Sequence, residues 1–328
     1  MSRDSRWNRI VRGSSAWLAI ITLAACGGSS DGGGGGAPPP SAFALRFTAT
    51  AGGQPVGCND TITGLGPDGS YEVGISDLRF YVSNLRFLDA SGQPVERKLD
   101  ASPFQLAMSA GEVALIDLTG NTEGTCSGNA IAFAEGTART NDAITGTTQV
   151  ERVATVSFDV GVPQPVMQEV IAENTIEGAP TPLAEMYWSW ASGYRHLVFN
   201  MSVHTAGGDT GEGYLHIGSR DCGPEGGLAL SDRDACGFVN TPKVELKSFD
   251  LTRDTVQIDL AEILRGLDFV SPIYDSETFE VIGEGPGVEC HSSPPSIQPD
   301  CAALFANVGL STADGSASAA DNHVFATR

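Results

Sequence analysis

Apolar and polar residues alternate with a period of two along much of this chain. Phe43, Leu45 and Phe47 alternate with Arg46 and Thr48, the signature of a strand with one face buried. Leu78, Phe80 and Val82 continue the pattern, and Leu85-Arg86-Phe87-Leu88 resumes it in the opposite phase. The change of phase at Ser83-Asn84 predicts a bulge or bend. Ala154, Val156, Phe158 and Val160 mark a strand that ends by Pro163, Leu197, Phe199, Met201 and Val203 mark another, and Val256, Ile258 and Leu260 close the series. Two short helices interrupt the strands. Leu260, Ile263, Leu264 and Leu267 have helical spacing, and Asp300 is placed to cap a helix carrying Leu304, Phe305 and Val308, with Gly309 as its stop. Short strands, 40 glycines and 18 prolines predict an all-β fold, an antiparallel sandwich with long loops and short helices.

The first 42 residues follow a different logic. Arg3, Arg6, Arg9 and Arg12 precede a short apolar run from Trp17 to Ala25, and Leu23-Ala24-Ala25-Cys26 ends it. This is the order of a secretory signal with a lipobox, too short to read as a stop-transfer helix. Residues 1–25 are therefore expected to be a lipoprotein signal peptide, with Cys26 as the acylated residue. The following GGSSDGGGGGAPPPS cannot bury apolar surface and reads as a flexible tether over residues 26–42. A single β domain is expected over residues 43–328, since no repeat, second linker or composition break divides it. Gly27 after the anchor cysteine points to an outer-membrane lipoprotein of a bacterial envelope, facing the periplasm or the cell surface.

That compartment explains the cysteines. Six remain after Cys26, namely Cys58, Cys126, Cys222, Cys236, Cys290 and Cys301, and an even number outside the cytosol reads as a disulfide framework. Spacing alone leaves several connectivities open; the local loops Cys222–Cys236 and Cys290–Cys301 are the first choice, leaving Cys58–Cys126. The absence of any C-x-x-C argues against a thiolate metal site. Forty acidic against 19 basic residues give a net charge of −21, which repels nucleic acid and anionic membrane surfaces. Membrane association is then expected through the lipid anchor alone.

No G-x-S-x-G, H-E-x-x-H, phosphate loop or dinucleotide fingerprint occurs, and no nucleophile–base pair is visible, so an enzyme is not expected. Chemistry is left to the aromatics and imidazoles. Met186, Trp188 and Trp190 share one face if Met186-Tyr187-Trp188-Ser189-Trp190 is extended; core packing is the ordinary role of such residues. The five histidines are His196, His204, His216, His291 and His323. His196 and His204 lie about 26 Å apart on one extended strand and cannot share a metal. A hairpin turning at Gly207–Gly213 would let His204 face His216.

At this level the chain resembles the MbnP family of copper-binding proteins. The resemblance is carried by Gly57-Cys58, by Asp77 to Phe87 (DLRFYVSNLRF), by Ala114-Leu-Ile-Asp117 and by Gly161-Val-Pro163. It continues through Pro182-Leu183, Met186 to Arg195 (MYWSWASGYR), His216-Ile-Gly-Ser219 with Cys222, Cys290-His-Ser292, and Cys301 ahead of Val308-Gly-Leu310. It implies a copper-binding protein in which a tryptophan of the W-x-W motif, Trp188 or Trp190, is oxidised to kynurenine. The implied partner is a di-haem cytochrome c peroxidase-like enzyme, and the ligands are histidines. His216 carries over as a ligand, with His204, His291 and Met186 as weaker candidates. Three positions depart from the pattern. Gln164-Pro-Val-Met-Gln168 stands where many members have Asn-His, Arg46-Phe-Thr-Ala49 where others have a histidine, and Cys290-His-Ser292 where the family has Cys-Met-Ser. His291 is read as an incidental loop residue before a replacement ligand, while the thioethers of Met167 and Met186 suit Cu(I). The competing expectation is a metal-free extracytoplasmic binding module that keeps the fold and has lost the site.

Overall fold

A computed structural model describes residues 39–120, 126–129, 131–132, 139–173, 180–189, 193–222, 236–275, 277–278 and 280–328. The expected signal segment, Cys26 and most of the tether lie outside them. The first strand, Ser41–Ala51, takes in Ser41 and Ala42, which were expected to belong to the tether. The strand Ala143–Thr148 supplies backbone partners for both, with Ser41 opposite Thr148.

Two sheets face each other across an apolar core. The smaller has the order Phe325–Thr327, Val256–Asp259, Ser41–Ala51, Ala143–Thr148 and Arg97–Leu99. The larger runs Lys243–Lys247, Thr155–Val160, Tyr71–Leu88, Gly193–Thr205, Thr210–Gly218, Val281–His291 and Val270–Tyr274. Phe43, Leu45 and Phe47 from one sheet meet Leu78, Phe80, Phe87 and Phe199 from the other. Edge-to-face contacts lock the centre, with Phe47 at 5.6 Å from Phe80 and 5.8 Å from Phe158. This is the expected all-β sandwich, with three short helices among the described residues where two were expected, and with the expected disulfides Cys58–Cys126, Cys222–Cys236 and Cys290–Cys301.

Among the described residues pairing is mostly antiparallel, with two parallel exceptions. Ser41–Ala51 runs parallel to Val256–Asp259, and Thr210–Gly218 runs parallel to Val281–His291. The long strand Tyr71–Leu88 bends where the phase of its pattern changes. Asn84 has a positive φ of 49°, and the register against Thr155–Val160 slips beside it.

The larger sheet is covered on its second face as well. Helix α1, Gln164–Glu173, was not expected; Pro165 falls in its first turn, where backbone N–H groups lack intrahelical partners anyway. Val166, Met167 and Val170 of α1 join Tyr81, Leu115, Leu183, Met186 and Tyr194 in a second apolar cluster. The polar members of the alternating strands therefore point into a covered layer rather than into water. Arg79 and Asp77 are fully buried there and paired through two hydrogen bonds of 2.8 and 2.6 Å. Helix α2 is a single turn, Leu260–Ile263, capped by the Asp259 carboxylate. Helix α3 spans Asp300–Asn307 and follows Pro299, so Asp300 opens the helix instead of capping it. Its carboxylate accepts instead from the backbone N–H groups of Asp268 and Glu289.

Candidate metal centre

The site is built on the second face of the larger sheet by register alone. Thr205 N–H donates to the Asp209 carbonyl across a tight turn, which sets His204 opposite Thr210 and Val198 opposite His216. His204 thus does not face His216. It lies six residues along the strand from His216's partner, about 20 Å away, and its imidazole bonds Ser202 Oγ at 3.0 Å. The parallel neighbour supplies the partner instead. Tyr214 stands beside Glu289, and His216 beside His291. Parallel strands in register put such neighbours on the same face. His291 ends a strand, contrary to its reading as an incidental loop residue.

The two imidazoles meet Nδ1 to Nδ1 at 2.9 Å. Their outer nitrogens are already committed. His216 Nε2 lies 2.7 Å from the Asn200 carbonyl oxygen, Oδ1, and His291 Nε2 lies 2.8 Å from Glu289 Oε1. An amide oxygen and a carboxylate both accept, so each Nε2 donates its proton and each Nδ1 is left with a lone pair. Two lone pairs at this separation repel unless a proton or a metal ion lies between them. Burial, then the neighbouring His291 and the cations Arg195 and Arg79, push the His216 imidazolium well below its ordinary pKa, so His216 is neutral at pH 7. The hydrogen bond from His291 holds the Glu289 carboxyl below its ordinary value.

The spacing fits a first-row metal. Imidazole nitrogens bind at roughly 2.0–2.1 Å, as at zinc, so two in adjacent coordination positions at about 90° stand about 2.9 Å apart. The outer acceptors match the arrangement in which a carboxylate or carbonyl orients a ligating imidazole. Around the pair lies a cavity of about 440 Å³, lined by Trp188, Arg195, Tyr214 and Glu289 as well as both histidines. The short strand Tyr187–Ser189 pairs with the start of Gly193–Thr205 and lays the Trp188 indole over the site, its centroid 6.0 Å from the His216 ring and 5.5 Å from His291. Two elements lock the frame. Ser292 Oγ donates to the His216 carbonyl and accepts from Gly218 N–H. The Cys290–Cys301 bridge ties the strand to α3 immediately before His291.

The remaining candidates fall elsewhere. Trp190 lies outside the described residues. Met186 and Met167 sit in the second apolar cluster, and neither lines the cavity. His196 is a structural residue. Its Nδ1 accepts from Val162 N–H, its Nε2 donates to the Val239 carbonyl, and burial pushes it down to about 4. Gly161 is required beside it, with φ at +139° and no room for a Cβ within 2.6 Å of the imidazole. Sequence reasoning missed Asn200, Glu289 and Tyr214. Asn200 gave one signal, a polar side chain within the apolar alternation of its strand, whereas Tyr214 and Glu289 lie on glycine-rich strands where the alternation is faint.

Three comparisons bear on the chain. A family model described as MbnP matches residues 40–281. The solved structure of MbnP from Methylosinus trichosporium superposes with a TM-score of 0.63 at 23% identity, covering 88% of this chain and 99% of that one. No curated protein sequence matches at a significant level.

Proposed function

Since the chain belongs to the MbnP family, we propose that it is a copper-binding protein of the bacterial envelope and not an enzyme. The observation that carries this reading is the pair of lone-pair-bearing Nδ1 atoms held 2.9 Å apart. His216 and His291 would hold the ion, Asn200 and Glu289 would orient them, and copper would supply a soft, imidazole-seeking Lewis acid. Two imidazoles offer only two donors, so a third has to come from elsewhere.

Trp188 supports a source for it. Oxidation of the indole by two equivalents of peroxide inserts two oxygen atoms across C2–C3 and releases two waters; hydrolysis then releases formate and leaves kynurenine. The product carries an aryl amine and a ketone where the indole had one N–H. A di-haem cytochrome c peroxidase-like enzyme is the proposed partner, with Trp188 or Trp190 as its target. Cys26 would tether the protein to the outer membrane, and the anchor would be its sole membrane contact. Nucleic acid is not a proposed partner, given the acidic charge.

The test compares protein from the native host with protein produced without the enzyme. The peptide holding Trp188 and Trp190 should show one carbon exchanged for one oxygen only in the first, and copper uptake should follow that change. An unmodified host peptide together with no copper uptake would establish the metal-free binding module instead.

A further inference from the structure

The hairpin of Val270–Tyr274 and Val281–His291 is the outermost ribbon of the larger sheet. Its base walls the metal cavity through Ser271, Val288 and Glu289. Its outer end is apolar and open, with Ile273 47%, Tyr274 55%, Val281 59% and Ile282 66% exposed. Ile273 has the same strand parity as Ser271, so it flanks the cavity mouth. Large apolar side chains clustered in the open on a highly charged protein are the kind of surface that partners cover.

Charge selects the occupant. From residue 266 to residue 327 the sequence contains no lysine or arginine, while Asp275, Glu277, Glu280 and Glu284 are interspersed with the exposed apolar residues along the hairpin. A second copy of this chain and an anionic lipid surface would both be repelled. Strand addition is disfavoured because Pro272 removes a backbone donor from the edge strand. What fits is a protein face with an apolar centre and a rim of lysine and arginine. We infer that this hairpin tip is the docking surface for the oxidising partner, whose basic-rimmed face it seats at the mouth of the Trp188 cavity. The inference rests on the proposed oxidation of Trp188.

The host's di-haem enzyme is the probe, the folded protein is its substrate, and the readout is kcat and KM for oxidation, followed as the mass change of the Trp188-containing peptide after digestion. Two variants alter the tip, Ile273→Ser with Ile282→Ser, and Glu277→Lys with Glu280→Lys and Glu284→Lys. A third, Glu96→Lys with Glu151→Lys and Asp321→Lys, makes the same charge change at exposed positions elsewhere. Both tip variants should lower kcat/KM about tenfold or more through KM, with kcat kept, and the distant variant far less. Once oxidised, all should bind copper alike, which shows that the fold is intact. Equal losses in tip and distant variants would overturn the docking surface. So would tip variants that keep kcat/KM but lose binding to phosphatidylcholine vesicles, which would make the tip a lipid contact. If wild-type protein is not oxidised at all, the proposed function falls, and this inference with it.

Discussion

Asn200→Leu separates ligation from stability. Asn200 is buried, and its Oδ1 is the acceptor that holds the His216 proton on Nε2. Leucine is close in size and accepts nothing. A buried N–H without a partner costs about 1–3 kcal/mol, but His216 has an escape. It can move its proton to Nδ1 and donate across 2.9 Å to the lone pair of His291 Nδ1. The metal-free protein therefore loses little stability, since the new bond replaces the old. Both facing nitrogens are consumed by that bond, so copper must displace a proton to enter. Loss of an orienting partner costs about 10–100-fold in metal affinity; the burial of His216 places the expected loss toward the upper end, about 2–3 kcal/mol. A Cu(I) titration against a colorimetric chelator gives the affinity, and urea unfolding of the metal-free protein gives the stability. Asn200→Asp keeps an acceptor in place and should keep affinity within the same decade. Unchanged affinity in Asn200→Leu would refute Nδ1 ligation by His216. A large loss of metal-free stability would refute the proton shift.

Three further outcomes follow from the same geometry. His291→Met replaces a borderline imidazole by a soft thioether and removes the Nδ1 contact, so isothermal titration should show Cu(II) binding lost and Cu(I) binding retained. Burial pushes Asp117 up to about 6, against about 3.8 unfolded. Between those values the folded state keeps a proton that the unfolded chain releases, so this group lowers stability as pH rises from about 4 to 6, by roughly 2–3 kcal/mol. Asp117→Asn should be correspondingly more stable than wild type at pH 8 and equal to it at pH 4, as read by urea unfolding; a gain at pH 4 as large as at pH 8 would refute this. Replacing Cys290 and Cys301 by serine opens an 11-residue separation worth about 3 kcal/mol of chain entropy. Copper affinity should fall with stability because His291 is the adjacent residue, whereas opening Cys222–Cys236 should leave affinity unchanged.

Strand positions were legible because burial of one face imposes a period of two, and Phe43 to Phe47 or Leu197 to Val203 show it plainly. Partnership was not, because nothing in that alternation tells Thr210–Gly218 which distant strand to run beside. His291 therefore read as a loop residue, and His204 was offered as the residue facing His216, the place where His291 stands. Helix α1 was hidden by Pro165, although Val166, Met167 and Val170 have helical spacing. Leu264 and Leu267 are buried without extending α2, since Gly266 takes a positive φ and turns the chain. The alternation also conveyed a half-solvated sheet. Polar Arg79, Asn200 and His216 sit at the positions water would be expected to fill, and a second layer over them converts that face into a site.

Side-by-side placement of His216 and His291 joins segments 75 residues apart through a pairing that no local hairpin can nucleate. A chain cut short before Val281 lacks the parallel neighbour of Thr210–Gly218 and cannot bring the two imidazoles together, however well the rest of its sheet forms.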